Sequence, residues 1–284
     1  MKTTLLHIFR NSPTGRENLM QSAYFCKQQF GLSLAVYIPE TTQFGMDLGG
    51  NPVTVQLDGS YVAYPSTARK HAEDVLAEFK CNHHFYVPGE RLTGTLPLLP
   101  NEWAMMTCPR VISEQSGRIG LGHIGPKVRA LVKNAPFPVF IPSMTFKAWT
   151  SVRAFFGGSE LGAVAVKEGL ALARLARVPF TIHTQLDGIT REECEKRLSA
   201  AGILGAVSGG GAEWSLFDEG TLEENLYAVP HDSVVVVGAA GHRLISELVF
   251  GSRLEAIQAT LPNPFVVVGP DCRTPWDRLP EGGA

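Results

Sequence analysis

The sequence predicts an α/β protein that consists of two copies of one unit, each with a parallel β-sheet covered by helices on both faces. Apolar segments with the length of strands alternate with amphipathic helical segments along its 284 residues. The valine run at 234–237 has no period-2 alternation, as expected for a strand that is buried on both sides. A segment from Gly125 resembles one from Gly251, which indicates a duplication.

The internal repeat needs no gap. GPKVRALVKNAPFPVFIP, from Gly125, aligns with GSRLEAIQATLPNPFVVVGP, from Gly251. In both copies a glycine precedes a helical segment, a proline ends it and an apolar strand follows. The final strands at 137–142 and 264–269 therefore hold equivalent places in the two copies.

The beginnings of the two copies also correspond. TTLLHIFRNS, which ends at Ser12, resembles SVRAFFGGS, which ends at Ser159, and each predicts a strand, a polar turn and the start of an amphipathic helix. Gly31 suits the C-terminal cap of the first helix. Each helix is followed by a short strand, LSLAVYI from Leu32 and PFTIHT up to Thr184.

The copies differ in the middle, where the first one is longer. The additional length lies mostly at 43–66, which is rich in glycine and polar residues. We predict a loop or a small flap there, and not a separate domain.

Composition and charge exclude several classes of function. The net charge is −2 and the basic residues are scattered, whereas a protein that binds nucleic acid presents a clustered basic face. The five cysteines form no CxxC pair, which favours free thiols over a disulfide framework. The apolar run at the N-terminus is too short for a signal peptide, and no run of about 18 apolar residues predicts a membrane span. We therefore expect a cytoplasmic protein.

The most informative stretch is VVVVGAAGHRLISELVFGS, at 234–252, in which glycines follow the buried strand. Gly238 allows a sharp turn at the carboxyl end of the strand, where ligands bind in parallel sheets. Gly241 allows a ligand to approach the backbone closely. Gly251 and Ser252 open a helix whose first N–H groups have no partner within the helix and form an anion site. The spacing Gx2Gx9GS predicts ribose near the turn and phosphates at the helix start.

A structural explanation competes with this one. Ser252 and Glu255 fit a capping box, which needs no ligand, and single glycines are common in loops. The combined spacing after a buried strand is more specific than any single glycine. Three basic residues could add positive charge for phosphates, namely His242, Arg243 and Arg253.

The motif Gx2Gx9GS, followed by a helix and a strand that begins after P-x-P, resembles the universal stress protein family. The stretch FFGGSELGAVAVKEGLALARLARVPFTIHT is similar to the first strand, helix and second strand of that family. The resemblance covers nearly all of 148–270 and, more weakly, 3–142. It implies two tandem Rossmann-like domains, at 1–143 and 144–284, each with a five-stranded parallel sheet and helices on both faces.

Family members with the intact motif typically bind ATP. The resemblance implies that the motif glycines and Ser252 contact ribose and phosphates, and that the backbone of Thr184 reads the adenine. The ligand would be ATP, with ADP or AMP as alternatives and Mg²⁺ as a further ligand left open. The implied nucleotide-binding residues are Gly157, Gly158, Thr184, Gly238, Gly241, His242, Gly251, Ser252 and Arg253.

The sequence departs from the family pattern at two places. Gly157 occupies the position of the usual acidic residue at the end of the first strand, so one hydrogen-bonding partner of the nucleoside is missing. In the first copy Pro126 replaces the motif serine and Glu114 replaces the first motif glycine. Pro126 lacks an N–H donor and Glu114 would repel phosphate, so we predict that the first copy binds no nucleotide.

Three classes of function remain open. The first is a regulatory protein of the stress response that binds a nucleotide without robust turnover, and the second is an enzyme that hydrolyses ATP or transfers a group from it. The third is a binder of a lipid-like ligand in the space around Gly157. Near the motif only Glu247 and Glu255 offer carboxylates, so we assign no catalytic residue and no metal ligand and favour the first class.

The two final strands also predict how the copies assemble. Each strand is apolar and ends its copy, so each should lie at a sheet edge, and an exposed apolar edge invites pairing. Universal stress proteins commonly dimerise through this strand. We predict that FPVFIP and PFVVVG pair antiparallel within one chain, as an internal pseudo-dimer. Further homodimerisation through other faces remains open.

Overall fold

The structure, a computed structural model, describes residues 3–29, 31–48, 52–110, 112, 124–239 and 252–273. Ten strands form one continuous sheet, and four further strands form a second, smaller sheet. Within the described ranges, no helix has both the length and the apolar character that crossing a bilayer requires.

The N-terminal half contains nine strands and three helices within the described residues. In chain order they are β1 (Thr4–Ile8), α1 (Pro13–Gln28), β2 (Ser33–Tyr37), β3 (Gln43–Met46), β4 (Val53–Gln56), α2 (Pro65–Phe79), β5 (His83–Tyr86), β6 (Glu90–Leu92), β7 (Leu96–Leu99), β8 (Met105–Thr107), α3 (Pro126–Asn134) and β9 (Val139–Ile141).

The C-terminal half contains five strands and five helices within the described residues. They are β10 (Ser151–Phe155), α4 (Glu160–Ala176), β11 (Phe180–Gln185), α5 (Arg191–Ala200), α6 (Leu204–Ser208), β12 (Glu213–Phe217), α7 (Leu222–Leu226), β13 (Ser233–Gly238), α8 (Ser252–Thr260) and β14 (Phe265–Val268).

The two halves have the same topology. The order of the large sheet is β12-β11-β10-β13-β14-β9-β8-β1-β2-β5, so each half supplies five strands in the same sequence from its outer edge to the centre. Within each half, all strand pairs of the large sheet are parallel. One face packs against α1, α2, α4 and α5, and the other packs against α3, α7, α8 and the second sheet. The predicted fold class, two tandem Rossmann-like units with five-stranded parallel sheets, is confirmed.

The predicted helix starts are confirmed by their caps. The Ser12 side chain accepts a hydrogen bond from the N–H of Gly15 at 3.0 Å, and the Ser159 side chain accepts one from Gly162 at 3.0 Å. Each serine satisfies an N–H group that has no partner within its helix. The first helix ends earlier than we predicted, at Gln28, and Gly31 lies beyond it with a φ of +80°.

We predicted a loop or a small flap at 43–66, and the loop alternative is wrong at 43–46 and 53–56, because β3 and β4 lie there. These two strands pair antiparallel, and β3 pairs in parallel with β7, which is distant in sequence. Phe44 and Met46 on β3 are fully buried. The segment therefore packs on the large sheet as part of a second sheet with the order β4-β3-β7-β6.

The predicted pairing of the two final strands is confirmed. Strand β9 pairs antiparallel with β14, with Phe140 opposite Val266. This pair is the only antiparallel one in the large sheet within the described residues, and it joins the two halves. Within the N-terminal half, the Gln21 side chain of α1 holds the segment after β9, since it accepts from the N–H of Ser143 at 2.8 Å and donates to the Ser143 carbonyl at 2.9 Å.

Candidate functional site

The candidate site lies at the carboxyl ends of β10, β11 and β13, where parallel sheets bind ligands. After β10, the N–H of Phe156 donates to the His183 carbonyl at 2.9 Å and continues the pairing with β11. Gly157 and Gly158 follow, and Ser159 then caps α4. Gly158 is buried and has a φ of +78°, a conformation that favours glycine. The backbone conformation therefore explains why residue 158 is a glycine, whether or not a ligand binds.

Gly238 is the last residue of β13 and lies opposite Val268 of β14. A Cβ atom at this position would lie 3.2 Å from both Cγ and the carbonyl oxygen of Leu161 in α4. That distance is tighter than ordinary van der Waals contact, so close packing of strand and helix favours a glycine here. Packing against Leu161 thus offers a structural reason for this motif glycine, and its role toward a ligand stays a prediction.

Thr184 lies inside β11, which extends one residue beyond it to Gln185. Its side chain is fully buried and accepts a hydrogen bond from the indole N–H of Trp214 at 3.0 Å. The side chain therefore supports the neighbouring strand β12. Only the backbone of Thr184 remains for the predicted contact with adenine, and that contact stays a prediction.

The remaining predicted site residues fall on the segment after β13 and on the first turn of α8. Gly241, His242 and Gly251 lie outside the described residues. Helix α8 begins at Ser252, as the motif predicts, and includes Arg253, but the side chains of these two residues are not described.

An open cleft of about 440 Å³ lies beside α8, at the carboxyl end of β11. Its lining residues are Gln185, Asp187, Gly220, Thr221, Leu222, Glu223 and Ala256. Sequence reasoning missed all of them. A signal existed for two: Asp187 closely follows the strand that ends at Gln185, and Thr221 with Glu224 forms a T-x-x-E capping box at the start of α7.

Hydrogen bonds hold the floor of this cleft in place. The Gln185 side chain donates to the Gly220 carbonyl at 3.1 Å and accepts from the Asn225 side chain at 2.7 Å. The Glu224 carboxylate accepts from the N–H of Thr221, and this bond lowers the pKa of Glu224. Asp187 and Glu223 are the acidic side chains on the described lining, and no described lining residue is basic. The cleft therefore suits hydrogen-bond donors of a ligand and disfavours its phosphates.

His183 lies in the sheet directly below the candidate site. Its ring stacks between Phe155 and Phe217, with centroids 5.4 Å and 5.7 Å away. It is 4% exposed, and neither ring nitrogen has a hydrogen-bond partner among the described residues. Burial, with a smaller contribution from the charge of Arg153, lowers the pKa of His183 to about 4, so the ring is neutral near pH 7.

The corresponding position in the N-terminal half is built differently. Helix α3 begins at Pro126, and Gly125 precedes it without a side-chain cap. Glu114 lies outside the described residues. A cavity of about 200 Å³ lies beside α3, between the carboxyl ends of β1 and β8 and the second sheet. The prediction that this half binds no nucleotide stays a prediction.

No protein-family model and no curated protein sequence matches this chain. Among solved structures, a universal stress protein from Archaeoglobus fulgidus DSM 4304 is 12% identical with a TM-score of 0.57, over 94% of this chain and 96% of that one. A functionally unknown protein from Pseudomonas aeruginosa PAO1 is 15% identical with a TM-score of 0.54, over 95% and 93%. The cytoplasmic domain of a prokaryotic cation chloride cotransporter is 8% identical with a TM-score of 0.51, over 94% and 95%.

These three similarities extend over nearly the whole length of both chains, which is the length of two tandem units. At such low identity they establish the fold. The protein has the tandem fold found in universal stress proteins, and the cotransporter domain indicates that this fold also serves other functions.

Proposed function

We propose that this protein is a tandem universal stress protein whose C-terminal half binds one adenine nucleotide. The preferred ligand is ATP, with ADP and AMP as alternatives. One observation carries the proposal: the segment with Gx2Gx9GS joins the carboxyl end of a central strand, at Gly238, to a nine-residue helix that begins at Ser252 beside an open cleft. The proposed role is regulatory, in the response to stress.

The helix start supplies the phosphate-binding chemistry of this proposal. The first N–H groups of α8 have no acceptors within the helix, and the helix dipole adds partial positive charge at the same end. Phosphates would lie there, next to Gly251 and Ser252. The cations proposed to assist are His242 and Arg253.

The cleft supplies the nucleoside-binding chemistry. Its volume of about 440 Å³ lies within the usual range of small-molecule sites. Carboxylates of Asp187 and Glu223 accept hydrogen bonds from ribose hydroxyls or from the adenine amino group. We propose that Asp187, two residues beyond the end of β11, replaces the acidic residue that is missing at Gly157.

The organisation of the chain is part of the proposal. The domain boundary would lie between 143 and 144, because β9 ends at Ile141 and the next strand begins only at Ser151. The five free cysteines support a cytoplasmic location. The paired strands β9 and β14 support an internal pseudo-dimer that needs no second chain to cover these edges.

A second candidate function is hydrolysis of ATP. The observation that favours it is the pair of carboxylates on the cleft, since Mg²⁺ is commonly held by carboxylates together with phosphate oxygens. Release of inorganic phosphate from ATP, measured with and without Mg²⁺, separates turnover from binding.

Calorimetric titration of the full chain with ATP, ADP, AMP and GTP tests the proposed function. We expect one site per chain for the adenine nucleotides and much weaker binding of GTP, whose base presents a different hydrogen-bonding edge. Two equal sites would show that the first copy also binds. No saturable binding of any adenine nucleotide would refute the proposal.

A further inference from the structure

The cavity in the N-terminal half is the strongest feature that the proposed function leaves unexplained. It lies between the second sheet, the carboxyl ends of β1 and β8, and helix α3. Its volume of about 200 Å³ exceeds the roughly 150 Å³ of an apolar cavity that accepts benzene in another protein. A small organic molecule therefore fits without rearrangement of the fold.

The lining of this cavity is mainly apolar. Ile8 and Met106 come from the large sheet, Phe44 and Val55 come from the second sheet, and Leu131 comes from α3. Cys108 also contributes, and burial raises the pKa of its thiol, so it remains protonated and behaves as a small apolar group. The ligand for such a lining must be largely hydrocarbon.

One apolar side chain of the cavity lining remains partly exposed among the described residues. Strand β4 is the edge strand of the second sheet and pairs only with β3 among the described residues. Val53 of β4 lines the cavity and yet is 44% exposed. A hydrocarbon chain in the cavity would cover this side chain.

The charged side chain of Lys127 indicates where the polar end of a ligand would lie. Lys127 lies at the rim, in the first turn of α3, and its ammonium donates to the Gln56 carbonyl at 3.0 Å. An ammonium group has three donors, so Lys127 can retain this bond and also bind an anion. No acidic side chain occurs among the described lining residues.

The internal repeat indicates that this cavity and the cleft of the other half occupy equivalent positions in the two copies. With Gly125 aligned to Gly251, Ala130 is equivalent to Ala256, and these two residues line the respective sites. Lys127 is equivalent to Arg253, which is a proposed phosphate-binding residue. The N-terminal half thus keeps a cation at the helix start, while the second sheet covers the site with apolar side chains.

We propose that the N-terminal half binds a medium-chain carboxylate such as octanoate, with the hydrocarbon chain in the cavity and the carboxylate at Lys127. This inference goes beyond the proposed function and does not rest on it. The two halves would then bind ligands of different chemistry at equivalent positions.

Calorimetric titration of the full chain with octanoate and with octan-1-ol tests the inference. We expect one saturable octanoate site and weaker binding of the alcohol. Lys127→Gln should weaken octanoate binding about fivefold and leave octanol binding unchanged. Lys133→Gln is the matched control, since Lys133 is also exposed on α3 but does not line the cavity.

A second variant tests the cavity itself. Ala130→Phe should fill the space and abolish binding of both compounds without loss of folding, because Ala130 is exposed toward the site. Ala77→Phe, at an exposed position of α2 away from the cavity, should bind like the parent. Absence of a saturable octanoate site, or unchanged binding by Ala130→Phe, would overturn the inference. Loss of binding by Ala130→Phe together with no effect of Lys127→Gln would overturn the assignment of a carboxylate.

Discussion

Phe140 and Val266 lie opposite each other across the antiparallel pair of β9 and β14, and the internal repeat makes the same two residues equivalent. A twofold axis that exchanges the copies passes through such a pair, because the exchange converts it into itself. The neighbouring pair Phe265 with Ile141 is converted into Val139 with Val267, which is also present. The strand register therefore places a local twofold axis at the centre of the sheet.

The first prediction concerns this junction. Both side chains are buried, at 1% and 0% exposure, so a lysine at either position would place an unpaired charge in the core. Phe140→Lys and Val266→Lys should each lower the free energy of unfolding by about 3–5 kcal/mol and promote aggregation. Val87→Lys is the control, since Val87 is exposed. Free energies of unfolding in urea that are the same for these variants and for the control would contradict the prediction.

The second prediction concerns Arg110, which connects the N-terminal half to α8. Its two terminal guanidinium nitrogens donate to the carbonyls of Gln258 at 3.3 Å and Asn263 at 3.2 Å, and the guanidinium lies 5.3 Å from the ring centroid of Phe265. Burial lowers the pKa of Arg110 to about 10, so the group remains charged at neutral pH. Arg110→Met should lower the free energy of unfolding by about 1–3 kcal/mol, because two carbonyls lose their donor.

Arg110→Lys separates the hydrogen-bond geometry from the charge. A single ammonium lacks the planar fork that donates to both carbonyls, so this variant should be destabilised almost as much as Arg110→Met. Full stability of Arg110→Lys would show that charge alone matters at this position. Chemical unfolding followed by circular dichroism measures both variants.

Much of the large sheet could be predicted because the relevant signals are local. The valine run, the capping serines and the prolines that end the helices each act within a few residues. Because the chain is a repeat, an element predicted in one copy could also be predicted in the other. Helices α3 and α8 indeed occupy the equivalent segments Pro126–Asn134 and Ser252–Thr260. The second sheet could not be predicted in this way, because β3 pairs with β7 across a long stretch of sequence that includes α2.

The candidate site was harder to predict than the fold. The cleft brings together Gln185, Glu223 and Ala256, which belong to three separate elements and share no motif. Gly238 illustrates the opposite difficulty, because a motif glycine also has a packing role against Leu161. Short motifs report backbone shape, whereas the lining of a cleft depends on how distant elements pack.

The third prediction concerns Gly251, which lies outside the described residues and is placed at the phosphates by the motif alone. A β-branched side chain there would occupy the space proposed for phosphate. Gly251→Val should raise the dissociation constant for ATP about tenfold or more, with little change in melting temperature. Gly89→Val is the control, because a Cβ at Gly89 meets no atom within 4 Å. Equal ATP binding by both variants would show that Gly251 serves packing only.

The fourth prediction concerns Asp187 in the cleft. The carboxylate of Asp187 is proposed to accept hydrogen bonds from the nucleoside. Asp187→Asn should therefore raise the dissociation constants of adenosine and of ATP by the same factor, about tenfold. Asp218→Asn, at an exposed position that does not line the cleft, should bind like the parent. A larger effect on ATP than on adenosine would place Asp187 near the phosphates and contradict the proposed orientation.

The last prediction concerns pH and the buried histidines. Burial lowers the pKa of His7 to about 3 and is the main cause that lowers the pKa of His183 to about 4. In the unfolded chain the two histidine rings take up protons near pH 6.5, whereas in the folded chain the buried rings take up protons only at much lower pH. The stability that these two neutral rings contribute is therefore complete above about pH 6.5. It decreases as the pH falls toward about 4 for His183 and about 3 for His7, by up to about 1.4 kcal/mol per pH unit for each ring.

His183→Phe isolates one of these two contributions, because a phenyl ring retains the stack between Phe155 and Phe217 and binds no proton. It also removes two buried nitrogens that have no partner among the described residues. The variant should be at least as stable as the parent at neutral pH, and its advantage should grow as the pH falls toward about 5. Urea unfolding of parent and variant over this range measures the difference. Parallel pH profiles would mean that His183 takes up its proton in the folded state, which would require an acceptor or water next to its ring.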